Sequence, residues 1–371
     1  VGDVRDSKGE DAKAMRGFDD QTSRLYQRVV GLRGMNSASP ARSLPDGESP
    51  SLSGVLLSTG NIVPGKVGGD AAFTNPNPVW DEPIRLAFVG EFTTPYIILM
   101  GDTKCWVQTS GAPVAKTPGT PFTTSSPPMW DGFTMLHDGA PVAVVNNRGV
   151  NRPHYWDGDA GVFLPLSSAP SMRCCVGYLG RLVGGSVTPA SDELLNRLQF
   201  SLYGDITTWS GATAGDHDLV DEGDRILRLA LLRGHQLLIL RQETTYIGYP
   251  TTVPGDPIAT QFLSNWGIFA RQSLQPIGNS YIFMGGDDIY IADATAVVPV
   301  GWKIRRHLFR DATPSTLDQA WSFTDKRAKN YYLVVAMSDG TQMAWIYNWE
   351  EQAWTQQDLT GYTMLGTWRK D

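Results

Sequence analysis

The densest collection of oxygen ligands in this chain is the acidic run Asp216-His217-Asp218, followed at once by Asp221-Glu222-Gly223-Asp224. Clustered carboxylates can hold Ca²⁺, which takes about six to eight oxygens. The run lacks EF-hand spacing, so a solvated loop between structural units accounts for it better. Asp157 and Asp159 lie two apart in Trp-Asp-Gly-Asp and invite comparison with the paired carboxylates of a glycosidase. With Gly158 between them they fit a turn better than a catalytic dyad. Asp287-Asp288, after Gly285-Gly286, has the composition of a hairpin tip. The five histidines, His137, His154, His217, His235 and His307, are scattered, with no HExxH and no pair at ligand spacing. A Gly-x-Ser-x-Gly elbow and a phosphate-cradling P-loop are both absent from the sequence. Lys303-Ile-Arg-Arg-His-Leu-Phe-Arg310 is the most basic segment; it could touch phosphate, meet an acidic loop of a neighbour such as 216–224, or stay solvated. None of these groups makes a catalytic or metal centre, so the expectation is a protein that is not an enzyme and carries no cofactor.

Composition narrows the class further. The chain has 371 residues, 41% of them hydrophobic and 19% charged, which suits a folded protein with a large core. A net charge of −7 argues against a surface built to grip phosphate backbones, because counterion release needs clustered Lys and Arg. A duplex could still slide past such a surface without sticking. Cys105 and the vicinal Cys174 and Cys175 form a poor disulfide framework and lack metal spacing, so buried reduced thiols are expected. There is no charged-then-apolar leader and no apolar run long enough to span a bilayer. The expectation is a soluble protein made in a reducing compartment, with no membrane insertion; a start at Val1 rather than Met suits processing or a fragment.

The candidate residues need elements to hold them, and those elements are short strands. With 39 Gly and 24 Pro the chain is rich in turn formers. From Ile84 onward apolar runs alternate with tight turns. Units open at Ile84, Met129, Met172, Arg225, Ser273 and Leu317, roughly 43–53 residues apart, which is blade spacing. Hairpins are expected around Gly101-Asp102, Asn146 to Gly149, Arg233-Gly234-His235, Gly285 to Asp288 and Ser338-Asp339-Gly340. The spread of the twelve tryptophans suits wedges between blades. Very little helix is expected after Ile84, and Gly361 to Trp368 has the pattern of one more strand that could close the ring against the first blade. Residues 1–30 are polar, with one short helix possible between Asp11 and Val30. Residues 31–77 are loop-rich, of a length that suits an arm. The sequence therefore predicts an all-β protein, a β-propeller of about six blades over 81–371, preceded by an extended, loop-rich N-terminal arm over 1–80 that packs on something other than its own core.

Two stretches carry a family resemblance. The first comprises Gly34-Met-Asn36, Pro40-Ala-Arg-Ser-Leu-Pro-Asp-Gly-Glu48 and Ser58-Thr-Gly-Asn-Ile-Val-Pro64. The second comprises Tyr178-Leu-Gly-Arg-Leu-Val183, Arg197-Leu-Gln-Phe-Ser-Leu-Tyr-Gly-Asp-Ile-Thr-Thr-Trp209 and Asp221-Glu-Gly-Asp-Arg-Ile-Leu227. Together they resemble the β-propeller virion proteins of tailed bacteriophages, of the tail-nozzle (tail tubular protein B) and DNA-stabilising hub type. The resemblance spans most of residues 34–360 through short structural motifs, and the chain lacks the large inserted domain of the bulkier nozzle proteins. It implies a homo-oligomer, commonly a six-fold ring, below the portal and adaptor. Such a ring would form part of the DNA exit channel and a platform for fibres, needle or tip, with double-stranded DNA passing without sequence readout. It also implies assembly in the bacterial cytoplasm and a place in the virion tail. Candidate subunit or tail-protein contacts are then Arg33, Arg42, Asp46 and Glu48 on the arm, Asp216, Asp218 and Asp221 in the acidic run, and Lys303, Arg305 and Arg306 in the basic one. The alternative is a carbohydrate-recognising propeller, a lectin or receptor-binding module presenting Trp156 and Asp157. A propeller hydrolase would need carboxylates converging from different blades on the axis.

Overall fold

The computed structural model describes residues 82–109, 113–124, 129–211, 213–220, 222–233, 235–253 and 255–359, with four short strands before them. Those strands are β1 (Gly34–Met35), β2 (Glu48–Ser49), β3 (Val55–Ser58) and β4 (Asn61–Pro64). β1 and β2 pair in parallel, and β3 and β4 form a hairpin. The expected helix between Asp11 and Val30 and the expected strand at 361–368 lie outside the described residues.

Six four-stranded sheets come next, each an antiparallel meander in chain order. Blade one holds β5 (Leu86–Gly90), β6 (Tyr96–Met100), β7 (Cys105–Gln108) and β8 (Val114–Ala115). Blade two holds β9 (Asp131–His137), β10 (Ala140–Asn146), β11 (His154–Trp156) and β12 (Leu164–Pro165). Blade three holds β13 (Ser171–Tyr178), β14 (Arg181–Thr188), β15 (Leu194–Phe200) and β16 (Gly215–Asp218). Blade four holds β17 (Ile226–Leu232), β18 (Gln236–Arg241), β19 (Thr245–Val253) and β20 (Asp256–Ser264). Blade five holds β21 (Gln275–Ile277), β22 (Ser280–Met284), β23 (Ile289–Ala292) and β24 (Val297–Pro299). Two short helices, α1 (Arg305–Asp311) and α2 (Pro314–Asp318), lead into blade six with β25 (Trp321–Asp325), β26 (Asn330–Ala336), β27 (Gln342–Asn348) and β28 (Ala353–Asp358). The protein is a six-bladed β-propeller. Each blade is complete in its own consecutive strands, and the unit starts expected at 84, 129, 172, 225, 273 and 317 fall within a few residues of the six first strands.

Each middle strand is buried on both faces, and the period of two divides its side chains between neighbouring blades. On β18, Leu237 and Ile239 enter the core shared with blade three, and Leu238 and Leu240 the core shared with blade five. On β10, Ala143 and Val145 face blade one while Val142 and Val144 face blade three. Five tryptophans are buried in these seams, Trp130 and Trp156 between blades one and two, Trp209 between two and three, Trp345 and Trp354 between five and six, whereas Trp266 and Trp302 are exposed and do not act as the expected wedges. Cys174 and Cys175 are consecutive on β13, so Cys174 points into the seam with blade four and Cys175 into that with blade two. All three cysteines are free and buried. Burial raises their pKa, that of Cys174 to about 12. β1 and β3 lie beside β28 at the outer edge of blade six.

The turns obey the sequence chemistry. Asp138-Gly139 and Leu179-Gly180, with φ of 49°, 80°, 49° and 72°, close two-residue hairpins in the left-handed geometry that suits strand twist. Gly267 serves another purpose. A Cβ there would stand 2.5 Å from the Gln242 carbonyl carbon and closer still to the Arg241 carbonyl oxygen, which accepts from Ile268 N–H.

Gly267→Ala should therefore destabilise the protein by about 1–3 kcal/mol in urea unfolding, because rigid backbone blocks the new methyl. Gly286→Ala, exposed and with nothing near its Cβ site, should stay within about 0.5 kcal/mol of wild type. The three thiols should resist an aromatic disulfide reagent at pH 8 in native protein and all react in denaturant; fast native labelling would contradict their burial.

Candidate functional site

The first strands β5, β9, β13 and β17 neighbour one another in turn, as do β21 and β25, and their inner edges converge on the propeller axis. At one end of that axis, where the blades are entered, the fold assembles a charged cluster. Asp131, the first residue of β9, is buried, and its two carboxylate oxygens accept separately from Arg228 on β17 and from Arg271 just before β21. One carboxylate thus ties blades two, four and five together across the axis. Beside it, Arg173 on β13 forks onto Glu193 with its Nε and Nη2, the latter at 3.2 Å, and Arg225 Nη2 reaches the same carboxylate at 3.1 Å. Arg148, in the turn after β10, has its Nη2 3.8 Å from Asp318 at the end of α2.

The electrostatics of the cluster are those of crowded guanidinium groups. Burial pulls Arg228 down to about 9 and Arg271 down to about 10, both still charged at neutral pH. Arg148 is lowered as well, first by burial, with Asp318 opposing and the positive charges of Arg271, Arg173 and Arg225 adding to it. Guanidinium groups donate and attract but do not shuttle protons near neutrality. The cluster is therefore equipped to hold anionic groups, and its carboxylates are already engaged by arginine.

Sequence patterns mark Arg225 only as a unit start and Arg148 only as part of a turn, and single out none of Arg148, Arg173, Arg225, Arg228 and Arg271, nor Asp131, Glu193 or Asp318, as a site residue. They are dispersed over the blades with no local spacing to connect them. The one available signal is positional: all five arginines fall at or just before the first strand of a unit or in the turn between its second and third strands.

The residues that sequence patterns do single out lie elsewhere. Arg33, Arg42, Asp46 and Asp221 are outside the described residues, and of Glu48 only its place in β2 is described. Asp216 and Asp218 sit on β16, the outer strand of blade three. Arg197 on β15 grips Asp218 through two hydrogen bonds of 2.6 Å and lies 3.4 Å from Asp216. That contact holds the Asp218 carboxyl below its usual range. Asp224, with Val220, wraps a buried arginine: Arg241 donates to the carbonyls of Asp224 and Val220 at 2.6–3.0 Å, and its Nε is 3.4 Å from the Asp224 carboxylate. Among the described residues no three His, Cys, Asp or Glu side chains come together as a metal-holding group.

The basic segment is partly helical, with Ile304 and Leu308 fully buried, because their i, i+4 spacing turns one face of α1 into the core. Arg305 is exposed and 3.6 Å from Asp288, and Lys303 lies over the Trp302 ring at 5.5 Å. The acidic and basic runs thus belong to separate blades, and the fold does not bring them together within the chain. Asp287 and Asp288 lie in the hairpin tip between Met284 and Ile289 as expected, but Asp288 is turned inward: it is 1% exposed, accepts from Ile289 N–H at 2.7 Å, and burial raises its pKa. Asp157 and Asp159 form turns as expected, accepting from Asp159 N–H and Gly161 N–H. Trp156 is 2% exposed and donates to the Asp159 carbonyl at 3.2 Å, so it offers no stacking face to a sugar. No helix of the described residues is long and apolar enough to cross a membrane.

The six blades define the class, a β-propeller protein. No family model matches the chain and no curated protein matches it. Solved structures resemble it in fold. A streptogramin B lyase aligns over 77% of this chain and 86% of its own at 12% identity and a TM-score of 0.46. A quinonprotein alcohol dehydrogenase-like protein from Bacteroides thetaiotaomicron VPI-5482 aligns over 74% of this chain and 66% of its own at 8% identity and 0.44. A chain from a mitotic checkpoint complex aligns over 81% and 87% at 12% identity and 0.45. Likeness at this level carries no activity to this chain.

Asp131→Asn should cost about 3–5 kcal/mol in urea unfolding, because it leaves the buried Arg271 and the partly buried Arg228 guanidinium groups without their counter-charge. Asp216→Asn, on an exposed pair, should cost less than about 1 kcal/mol. Equal losses would show that Asp131 is not the tie across the axis.

Proposed function

We propose that this chain is a non-enzymatic structural subunit of a bacteriophage tail, a propeller disc in a nozzle or hub ring below the portal and adaptor. The observation that carries the proposal is the corner of blade three, where the resemblance to tail propellers lies. Its residues there are architectural. Arg197 pairs with Asp218, Leu198 fills the core, and Ser201 accepts from Leu182 N–H at 3.0 Å. Gly204 takes a φ of 77°, Asp205 accepts from Thr207 and Thr208, and Trp209 packs between blades two and three with its Nε1 on the Ile206 carbonyl.

A motif spent on turning a corner suits a protein whose work is to present rigid blades to neighbours. The engaged carboxylates on the axis suit it too, since no free acid–base pair stands among them. In this reading the disc does not thread DNA through its own axis, which the Asp131 bridge crosses. The duplex passes through the larger opening that a ring of subunits encloses. The arm, with Arg33, Arg42, Asp46 and Glu48, staples one subunit to the next or to the adaptor. Asp216 and Asp218 on the outer strand of blade three, and Lys303, Arg305 and Arg306 around α1, are available to neighbours, and Asp221 serves with them in this reading. The protein then resides in the virion tail after synthesis in the bacterial cytoplasm.

Mass spectrometry of purified virions, counting this chain against the portal, should give about half the portal's copy number, as a six-fold ring on a twelve-fold portal requires. Deleting residues 1–60 should leave a folded propeller that no longer enters the ring or the virion. Absence of the chain from virions, or glycan binding lost on substituting Asp157, would overturn the tail reading.

A further inference from the structure

The axial cluster has more cation than its own carboxylates can answer. Arg148, Arg173, Arg225, Arg228 and Arg271 face Asp131, Glu193 and Asp318, which leaves two guanidinium charges in excess within a chain of net charge −7. The excess is visible atom by atom. Arg271 is 3% exposed, and its Nη1 is buried with no hydrogen-bond partner. Arg228 Nε and Arg225 Nε are likewise buried and unpartnered. The amide of Asn146, opposite Asp131 in the blade-two ladder and 1% exposed, has neither its nitrogen nor its oxygen satisfied. Arg148 spends its fork on a carboxylate 3.8 Å away and on the Met129 sulfur at 3.5 Å, a weak acceptor.

Buried donors without partners are rare in native proteins, and ordered water or a bound ion ordinarily satisfies them. Water could satisfy the N–H groups, but it brings no charge to balance guanidinium groups crowded away from solvent. An oxyanion does both, and the planar forks of arginine match its geometry. A surplus of two positive charges selects a divalent anion over a monovalent one.

We propose that this end of the propeller axis is a binding site for a phosphate-class oxyanion, held by Arg148, Arg225, Arg228 and Arg271 with the Asn146 amide beside them. The anion would be either free phosphate or the terminal phosphate of a small molecule such as a nucleotide. By neutralising the surplus charge it would lock blades two, four and five around the axis, adding to what Asp131 does alone. The inference rests on the cluster and is independent of the tail reading.

Isothermal titration of the full chain with inorganic phosphate, and separately with ATP, at ionic strength held constant with sodium chloride, tests it. Saturable binding of phosphate, with a rise in melting temperature that chloride does not reproduce, is the expected result. Binding of both ligands at similar affinity assigns the site to phosphate itself, and a marked preference for ATP assigns it to a nucleotide end. Arg148→Gln and Arg225→Gln, at half-buried positions, should each weaken binding by at least about tenfold, which corresponds to about 1.4 kcal/mol. Arg310→Gln, on an exposed pair with Asp311, should leave it unchanged. No saturable binding to wild type, or equal binding by wild type and both cluster variants while circular dichroism shows them folded, overturns the proposal.

Discussion

A four-stranded blade has two apolar faces, and neither is stable in water. In this protein the need to cover both faces of every blade dictates most of the architecture. Consecutive residues such as Leu237 to Leu240 must be apolar without a break, because alternate side chains serve different neighbours. The same rule sets Cys174 and Cys175 back to back in separate seams, out of reach of each other. The large tryptophans fill the seams between blades with area that smaller residues could not supply.

With the faces committed to packing, polar groups are left the two edges of each blade and the turns. At the outer edge they meet solvent, and pairs such as Arg197 with Asp218 are local and exposed. At the inner edge, several blades bring their polar residues to one place with little water, and charges there must find one another. Asp131 is the point where this constraint is met most completely, since each of its oxygens serves an arginine from a different blade. The remaining arginines are met only in part, and the surplus is what makes the axis a candidate for an anion.

Chemistry that looks promising in one dimension resolves into architecture in three. The acidic turn near Asp224 surrounds the Arg241 guanidinium, so the cation it is suited to hold is part of the chain. Asp157 and Asp159 stabilise their own turn. Trp156 is a core residue. Each is a short-range pattern with a short-range purpose, while the arginines proposed to hold an anion share no local spacing in the sequence.

The class of fold is legible in the chain before any folding is considered. Unit starts near Met129, Met172, Arg225, Ser273 and Leu317, and turns at Gly285 to Asp288 and Ser338 to Gly340, can be read directly because hairpins are local. Strand period and turn chemistry are settled by neighbours within about ten residues. The axial site, by contrast, exists only once the blades have closed. Asp131 lies 97 residues from Arg228 and 140 from Arg271, and nothing in the chain between them marks the meeting. That meeting depends on how many blades close the disc and how each is rotated about the axis, which are properties of packing between blades and not of any one blade's sequence.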